Sequence, residues 1–205
     1  MDVSRPYSAV APSLEGDVLA VLAGTTHPLT LRHVTRLVRH GSYGGVAKAI
    51  ERLIAQGLVH RQVAGRAYLH TLNREHVAAP IVQELAELRT ILLSRMREEL
   101  RSWSPAPVHA SMFGSAARGD GDAASDIDLF LVRPADVGAD DPRWRAQVSR
   151  LGERVQAWTG NRLSPIEVSA SELPGLNARD PAVLEQLRED HIDLAGELLP
   201  RVLDG

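Results

Sequence analysis

Residues 114–129 read G-S-A-A-R-G-D-G-D-A-A-S-D-I-D-L, and this run decides the fold of the second half of the chain. The apolar stretch 108–113 leads into a Gly114-Ser115 turn, and a second apolar run follows Asp126 and Asp128 as far as Val132. Side chains of a strand alternate between its faces, so this spacing predicts two carboxylates projecting the same way. Two such groups repel, and one pKa rises unless a cation lies between them. Oxygen donors without Cys or His beside them suit Mg²⁺ or Mn²⁺, held by one or two carboxylates plus substrate phosphates. Taken singly, a Gly-Ser turn is an ordinary turn and an Asp-x-Asp an ordinary strand end. Their concentration with Arg118, Gly119 and Ser125 between two predicted strands points to a metal–nucleotide site.

The run resembles the signature of the nucleotidyltransferase superfamily that includes DNA polymerase beta, aminoglycoside nucleotidyltransferases and the minimal nucleotidyltransferases of prokaryotes. That signature has the form G-S-x-A-R-G, five residues, then S-D-I-D-L. Gly114, Ser115, Ala117, Arg118, Gly119, Ser125, Asp126, Ile127, Asp128 and Leu129 all fit it. The resemblance implies that Gly114 and Ser115 hold nucleotide phosphates and that Asp126 and Asp128 are catalytic and bind Mg²⁺ or Mn²⁺. Arg118 would either add charge at the phosphates or hold the loop. The implied substrate is a nucleoside triphosphate, with ATP the first choice. The superfamily also uses a third carboxylate on a later strand, more often Asp. Here S-P-I-E-V-S at 164–169 reads as a short strand with Ile166 and Val168 on one face and Glu167 on the other. Glu167 matches by position as metal ligand and base for the attacking hydroxyl, with an exposed strand residue as the alternative. Without a carboxylate there, nucleotide and metal would still bind while transfer would be slow or absent.

Composition permits this. With 205 residues and 44% hydrophobic content, one or two domains with real cores are expected. There is no cysteine, which excludes a disulfide framework or a thiolate metal site and favours a reducing compartment. The N-terminal M-D-V-S-R-P-Y-S has no signal pattern, and no apolar run is long enough to span a bilayer. A cytoplasmic protein without membrane partners is expected. The eight histidines, His109 included, lack ligand spacing.

The net charge of −3 hides an asymmetry. Residues 25–74 carry Arg32, Arg36, Arg39, Lys48, Arg52, Arg61, Arg66 and Arg74 against Glu51 alone, a balance of +7. Residues 77–205 carry 14 Lys plus Arg against 21 Asp plus Glu, a balance of −7. A basic module on an acidic body suggests a polyanionic partner for that module.

Within the basic module, Ser13 is positioned to cap a helix carrying Leu14, Val18, Val21 and Leu22, stopped by Gly24. Thr30 caps a second with Leu31, Val34, Leu37 and Val38 inward, and Ser42 a third with Val46, Ile50, Leu53 and Ile54 inward, ending at Gly57. Two short runs, 58–63 and 66–72, then flank Ala64-Gly65 as a hairpin. This order resembles a winged helix-turn-helix over residues 13–72, and R-L-I-A-Q-G-L-V at 52–59 resembles the end of its recognition helix. The resemblance implies double-stranded DNA as partner. Ser42, Tyr43 and Lys48 would lie near the bases, Arg52 on the same polar side, and Arg61 and Arg66 on phosphates from the wing. A homodimer would suit paired half-sites, and a protein-docking module is the alternative.

Pro80 opens a long connecting helix with Ile81, Leu85, Leu88, Leu92, Met96, Leu100 and Trp103 as its apolar stripe, ended by S-P-A-P at 104–107. N-R-E-H at 73–76 supplies no flexible linker, so the modules are expected to move together. Asp141-Pro142 starts a helix burying Trp144, Val148, Leu151, Val155 and Trp158 before Gly160, a strand–helix–strand unit returning Glu167 beside the aspartates. The tail, 181–203, reads as helical with a turn near 193–196. The expected fold is α+β: a winged helix-turn-helix over 1–76, a connecting helix over 77–104, and a nucleotidyltransferase α/β domain with a small mixed sheet over 105–205. The expected function is transfer of a nucleoside monophosphate to an acceptor hydroxyl, on protein or RNA, coupled to a DNA-binding module. The second reading is a DNA-binding transcriptional regulator whose nucleotidyltransferase domain only senses nucleotide.

Overall fold

Ser13 sets the first helix as its position predicts: its hydroxyl accepts from the Gly16 N–H at 3.3 Å, and α1 (Leu14–Ala23) stops at Gly24. The computed structural model describes residues 1–38 and 41–204, the side chains of Asn177 and Asp204 excepted. Arg39, counted in the basic window, lies outside the described residues. The chain divides into two compact units, Arg5–Arg89 and Met1–Ser4 with Thr90–Gly205.

In the first unit, β1 (Leu29–Thr30) precedes α2 (Leu31–Val38), where Thr30 Oγ1 accepts from the His33 N–H at 3.3 Å. Ser42 caps α3 (Tyr43–Ala55), accepting from the Gly45 N–H at 3.1 Å. The strands β2 (Val59–Ala64) and β3 (Ala67–Leu72) form a hairpin. Ala64 faces Ala67 across it, so the turn is Gly65-Arg66, one residue later than expected, with Gly65 at φ +60°. The two-residue β1 pairs with β3 and was invisible to periodicity; the sheet order is β1-β3-β2. The core joins Val18, Leu22, Val34, Val46, Ile50 and Leu53 to Val59, Leu72 and Val82. Leu37, expected inward, is 51% exposed: α2 buries only Val34 and Val38, and Leu37 sits about 100° round from Val38.

The expected connecting helix is two helices, α4 (Ala79–Ala86) and α5 (Leu88–Arg101), interrupted at Glu87. Of the stripe, Leu92, Met96, Leu100 and Trp103 join the core of the second unit, while Ile81 is 61% exposed; the residue that α4 gives the first core is Val82, which the stripe did not include.

The second unit is built on a four-stranded mixed sheet of order β6-β5-β4-β7. After β4 (His109–Phe113) come α6 (Gly114–Arg118) and β5 (Ile127–Arg133). Asp141 then caps α7 (Pro142–Thr159), accepting from the Arg143 and Trp144 N–H groups, and Gly160 ends it at φ +77°. This helix crosses over to β6 (Leu163–Ser169), parallel to β5. Short α8 (Leu176–Arg179) and α9 (Pro181–Glu189) lead to β7 (His191–Gly196) and α10 (Leu199–Asp204). β7 corrects the expectation of a helical tail: residues 191–196 pair antiparallel with β4, because the edge of that strand would otherwise be left bare. Ala110, Met112, Ile127, Leu129 and Leu131 pack on one face with Trp144, Leu151 and Val155. Phe113, Phe130, Val132 and Val168 pack on the other with Leu184, Leu187 and Leu199. Buried Glu99 on α5 takes Arg150 Nε at 2.8 Å and Arg154 Nη1 at 2.6 Å, tying that helix to α7.

Two buried histidines link this fold to pH. His109 has no exposed surface; its Nδ1 lies 2.7 Å from the Glu197 carbonyl and its Nε2 2.8 Å from Ser111 Oγ. A carbonyl only accepts, so Nδ1 donates and Nε2 accepts from the Ser111 hydroxyl. Burial holds the pKa of His109, and that of His70 beside the Leu29 carbonyl, below the ordinary value. The unfolded chain then binds protons better than the folded one. Their contribution is intact above about pH 6.5 and is lost as pH falls from there toward the folded values. The urea midpoint is expected to drop between pH 6.5 and 5; a His109→Phe, His70→Phe double variant should lose less over that interval than the parent.

Candidate functional site

Gly114 joins β4 to α6 at φ +66°, in the left-handed region that glycine adopts without a Cβ penalty. Space makes the same demand: a Cβ here would stand 2.7 Å from Asp128 Oδ2. The backbone of the turn therefore lies directly against one of the two predicted carboxylates. Gly119 closes α6 at φ +78°, and the Ser115 carbonyl accepts from both the Gly119 and Asp120 N–H groups, at 2.9 and 3.2 Å. Residues 120–126 then pass back over Ser115. A Cβ on Gly121 would sit 3.1 Å from Ser115 Oγ and 3.5 Å from Ser125 Oγ, so the two hydroxyls converge beneath that glycine. Asp122 braces the loop: its Oδ1 accepts from Ser125 Oγ at 2.9 Å and from the Ala124 N–H at 2.8 Å.

Asp126 is exposed and stands immediately before β5, whereas Asp128 is half-buried within it. Burial, then the Asp126 charge, push the Asp128 carboxyl above the usual carboxylate range, partly offset by Arg118. The Asp126 charge thus acts on Asp128, as their spacing predicts. Arg118 lies within electrostatic reach of Asp128, but its Nε donates to Asp120 Oδ2 at 3.0 Å. The structure thus brings together Gly114, Ser115, Arg118, Asp126 and Asp128.

It does not bring Glu167 there. In the parallel pairing of β5 with β6, Asp128 aligns with Ser164 and Leu131 with Glu167. Aligned residues of neighbouring strands share a face, and positions an odd number apart do not. Glu167 therefore projects with Ile127, Leu129 and Leu131, away from Asp128. There its Oε2 accepts from Trp144 Nε1 at 2.5 Å, and the Trp144 ring meets Trp103 edge to face at 5.3 Å. The expectation that the crossover returns Glu167 beside the aspartates is corrected by the pairing of β6 with β5, which sets it three positions along from Asp128 and on the opposite face. The residue across from Asp128 is Ser164, which sequence reasoning passed over because serine carries no ligand signal. Among the described residues, no three His, Cys, Asp or Glu side chains come together as a metal cluster. Asp126 and Asp128 alone, one open to solvent and the other with its charge disfavoured by burial and by its neighbour, fit a divalent ion that takes its remaining ligands from phosphates and water.

A family model described as a nucleotidyltransferase domain matches residues 93–199, just over half of the chain. The chain belongs to this nucleotidyltransferase family. The matched segment of the nucleotidyltransferase runs from α5 into α10 and contains the whole four-stranded sheet. Two solved structures are also similar. One, the crystal structure of a toxin-antitoxin with AMP-PNP, is 18% identical with a TM-score of 0.39, over 55% of this chain and 81% of that one. The other, human N-acetylserotonin methyltransferase in complex with SAM, is 15% identical with a TM-score of 0.29, over 49% of this chain and 31% of that one. No curated protein sequence matches the nucleotidyltransferase. No helix among its described residues is long and apolar enough to cross a membrane.

On the other compact unit, Ser42 spends its hydroxyl on the α3 cap, while Tyr43, Lys48 and Arg66 are exposed. Arg52 pairs with Glu15. Arg61 pairs with Glu51 at 2.7 Å and lies 5.0 Å from the centre of the Tyr68 ring. Those two cations are already matched, which the charge count alone did not register.

Proposed function

We propose that this nucleotidyltransferase moves a nucleoside monophosphate from a nucleoside triphosphate, ATP first, to an acceptor hydroxyl. The acceptor hydroxyl gives its proton to water, its oxygen bonds to the α-phosphorus, the bond from that phosphorus to the α–β bridging oxygen breaks, and pyrophosphate leaves. The supporting observation is the half-buried Asp128 packed against the Gly114 backbone, its charge disfavoured by burial and then by Asp126. Asp126 and Asp128 would hold Mg²⁺ or Mn²⁺, which supplies positive charge at the reacting phosphate when bound. Gly114 lets the backbone approach the phosphates without a side chain in the way, and Ser115 offers a hydroxyl donor beside them. Arg118 adds cationic field at the same end of the sheet. The test is a labelled-nucleotide transfer assay with each of the four triphosphates, with Mg²⁺ or Mn²⁺, against cell lysate. Covalent label on a protein or RNA acceptor supports the enzyme.

The position of Glu167 favours a second reading, in which nucleotide binds without transfer and alters DNA binding. Both readings include residues 1–76 as a winged helix-turn-helix on double-stranded DNA. The order α1, α2, α3 and hairpin, with β1 completing the sheet, supports this, as do exposed Tyr43, Lys48 and Arg66. Because Arg52 and Arg61 are already paired, Lys48→Ala and Arg66→Ala are expected to weaken DNA binding more than Arg52→Ala or Arg61→Ala. Each lost phosphate contact should lower the slope of log affinity against log salt by about 1. A homodimer on paired half-sites would double the parent slope. Binding to genomic fragments measured across a salt series checks this, and a salt-independent result would point to protein docking instead.

A further inference from the structure

Asn161 stands between the end of α7 and the start of β6 and is 4% exposed. Its side-chain nitrogen donates to the Ser125 carbonyl at 2.9 Å and to the Ala123 carbonyl at 3.3 Å. Its side-chain oxygen accepts from the Met1 nitrogen at 2.7 Å. Carbonyls only accept and the Met1 nitrogen donates, so the amide has a single satisfactory orientation. The next residue continues the grip, for the Arg162 carbonyl accepts from the Ile127 N–H at 2.9 Å. The Ser125 carbonyl belongs to the peptide group on the N-terminal side of Asp126, and the Ile127 N–H to the one on its C-terminal side. Both peptide groups that set the direction of the Asp126 side chain are therefore held by two consecutive residues of the α7–β6 turn. Asp126 itself is exposed and lies outside the paired residues of β5.

We infer that Asn161 is a positioning residue for the divalent-cation site, fixing Asp126 relative to Asp128 through the 123–127 backbone. The inference rests on the proposed metal role of those two aspartates. Asp128 is held by the strand ladder on both sides, whereas Asp126 depends on this turn for its geometry. A site with only two carboxylate ligands has little tolerance for one of them swinging away. Residues that orient metal ligands from behind typically change metal affinity by about 10- to 100-fold when replaced.

The experiment measures Mn²⁺ binding to the full chain by electron paramagnetic resonance of the free ion. It compares the parent with Asn161→Ala, Asn161→Asp, Gln156→Ala and the Asp126→Ala, Asp128→Ala double variant. Asn161→Asp keeps the shape and the acceptor facing Met1 but loses the donor to Ser125. Its added negative charge would by itself tighten cation binding, so a weakened site isolates the loss of loop geometry. Gln156→Ala removes a 2.9 Å hydrogen bond to the Gly160 carbonyl at the same helix end without touching the loop. Expected is a 10- to 100-fold weaker Mn²⁺ affinity in both Asn161 variants, with Gln156→Ala like the parent. Unfolding curves in EDTA establish that each titrated chain is folded, and if Asn161→Ala is not, Asn161→Asp carries the comparison. Parent-like affinity in every folded Asn161 variant, with binding lost in the double aspartate variant, overturns the positioning role and leaves the metal site standing. Equal loss in Gln156→Ala overturns it too, since any disturbance of the helix end would then suffice. Parent-like binding in the double aspartate variant overturns the metal site itself, and the inference with it.

Discussion

Replacing Asp126 and Asp128 together by alanine is expected to bring metal-dependent nucleotide transfer down to background while leaving the chain folded. Stability should even rise in metal-free buffer. Burial and the Asp126 charge raise the Asp128 pKa, so the folded chain binds that proton more tightly than the unfolded chain does. Asp128 therefore subtracts stability as pH climbs from the unfolded carboxylate range through its raised folded value, opposite in sign to the buried histidines. Asp128→Asn alone should raise the metal-free thermal midpoint at pH 7. In the parent, a divalent ion at 100 times its dissociation constant should add about 2.7 kcal/mol, a gain the double variant lacks. Calorimetry with and without Mn²⁺, run beside the transfer assay, checks both halves. Residual transfer in the double variant would remove these residues from the chemistry.

Gly114→Ala should be nearly as damaging to activity, by another route. A non-glycine residue held at φ +66° costs about 1–3 kcal/mol. The new methyl carbon would also begin 2.7 Å from Asp128 Oδ2, well inside contact distance. Either Asp128 turns aside or the turn backs away, and both separate the carboxylate from the backbone proposed to hold the phosphates. Misplacement of about 1 Å at a reacting centre is enough to lose about 100-fold in rate. Transfer kinetics and thermal unfolding of Gly114→Ala test this. Gly44→Ala is a suitable comparison, since an added Cβ there meets nothing within 4 Å.

Much of the site was legible because its determinants are local. A glycine that must adopt positive φ, a serine beside it and carboxylates two residues apart constrain one another within a single strand–turn–strand segment. The capped helices were legible for the same reason: Ser13, Ser42 and Asp141 act on N–H groups two or three residues away. Glu167 shows where local reading stops. The alternation placing Ile166 and Val168 opposite Glu167 was evident along the strand, but which side faces Asp128 depends on pairing with β5, and a one-residue change of register inverts it. The pairing of β7 with β4 and of β1 with β3 likewise depends on strands distant in sequence.

The amino-acid sequence alone determined the nucleotidyltransferase motif, the helix caps and the parallel strand–helix–strand order, because each rests on contacts within a few residues. Tertiary structure decided that Glu167 meets Trp144 rather than the aspartates, that the apolar stripe after Pro80 enters a core from Leu92 onward, and that Asn161 holds the loop before β5. Those outcomes turn on register and on side chains more than 20 residues apart, and neither leaves a periodic trace in the chain.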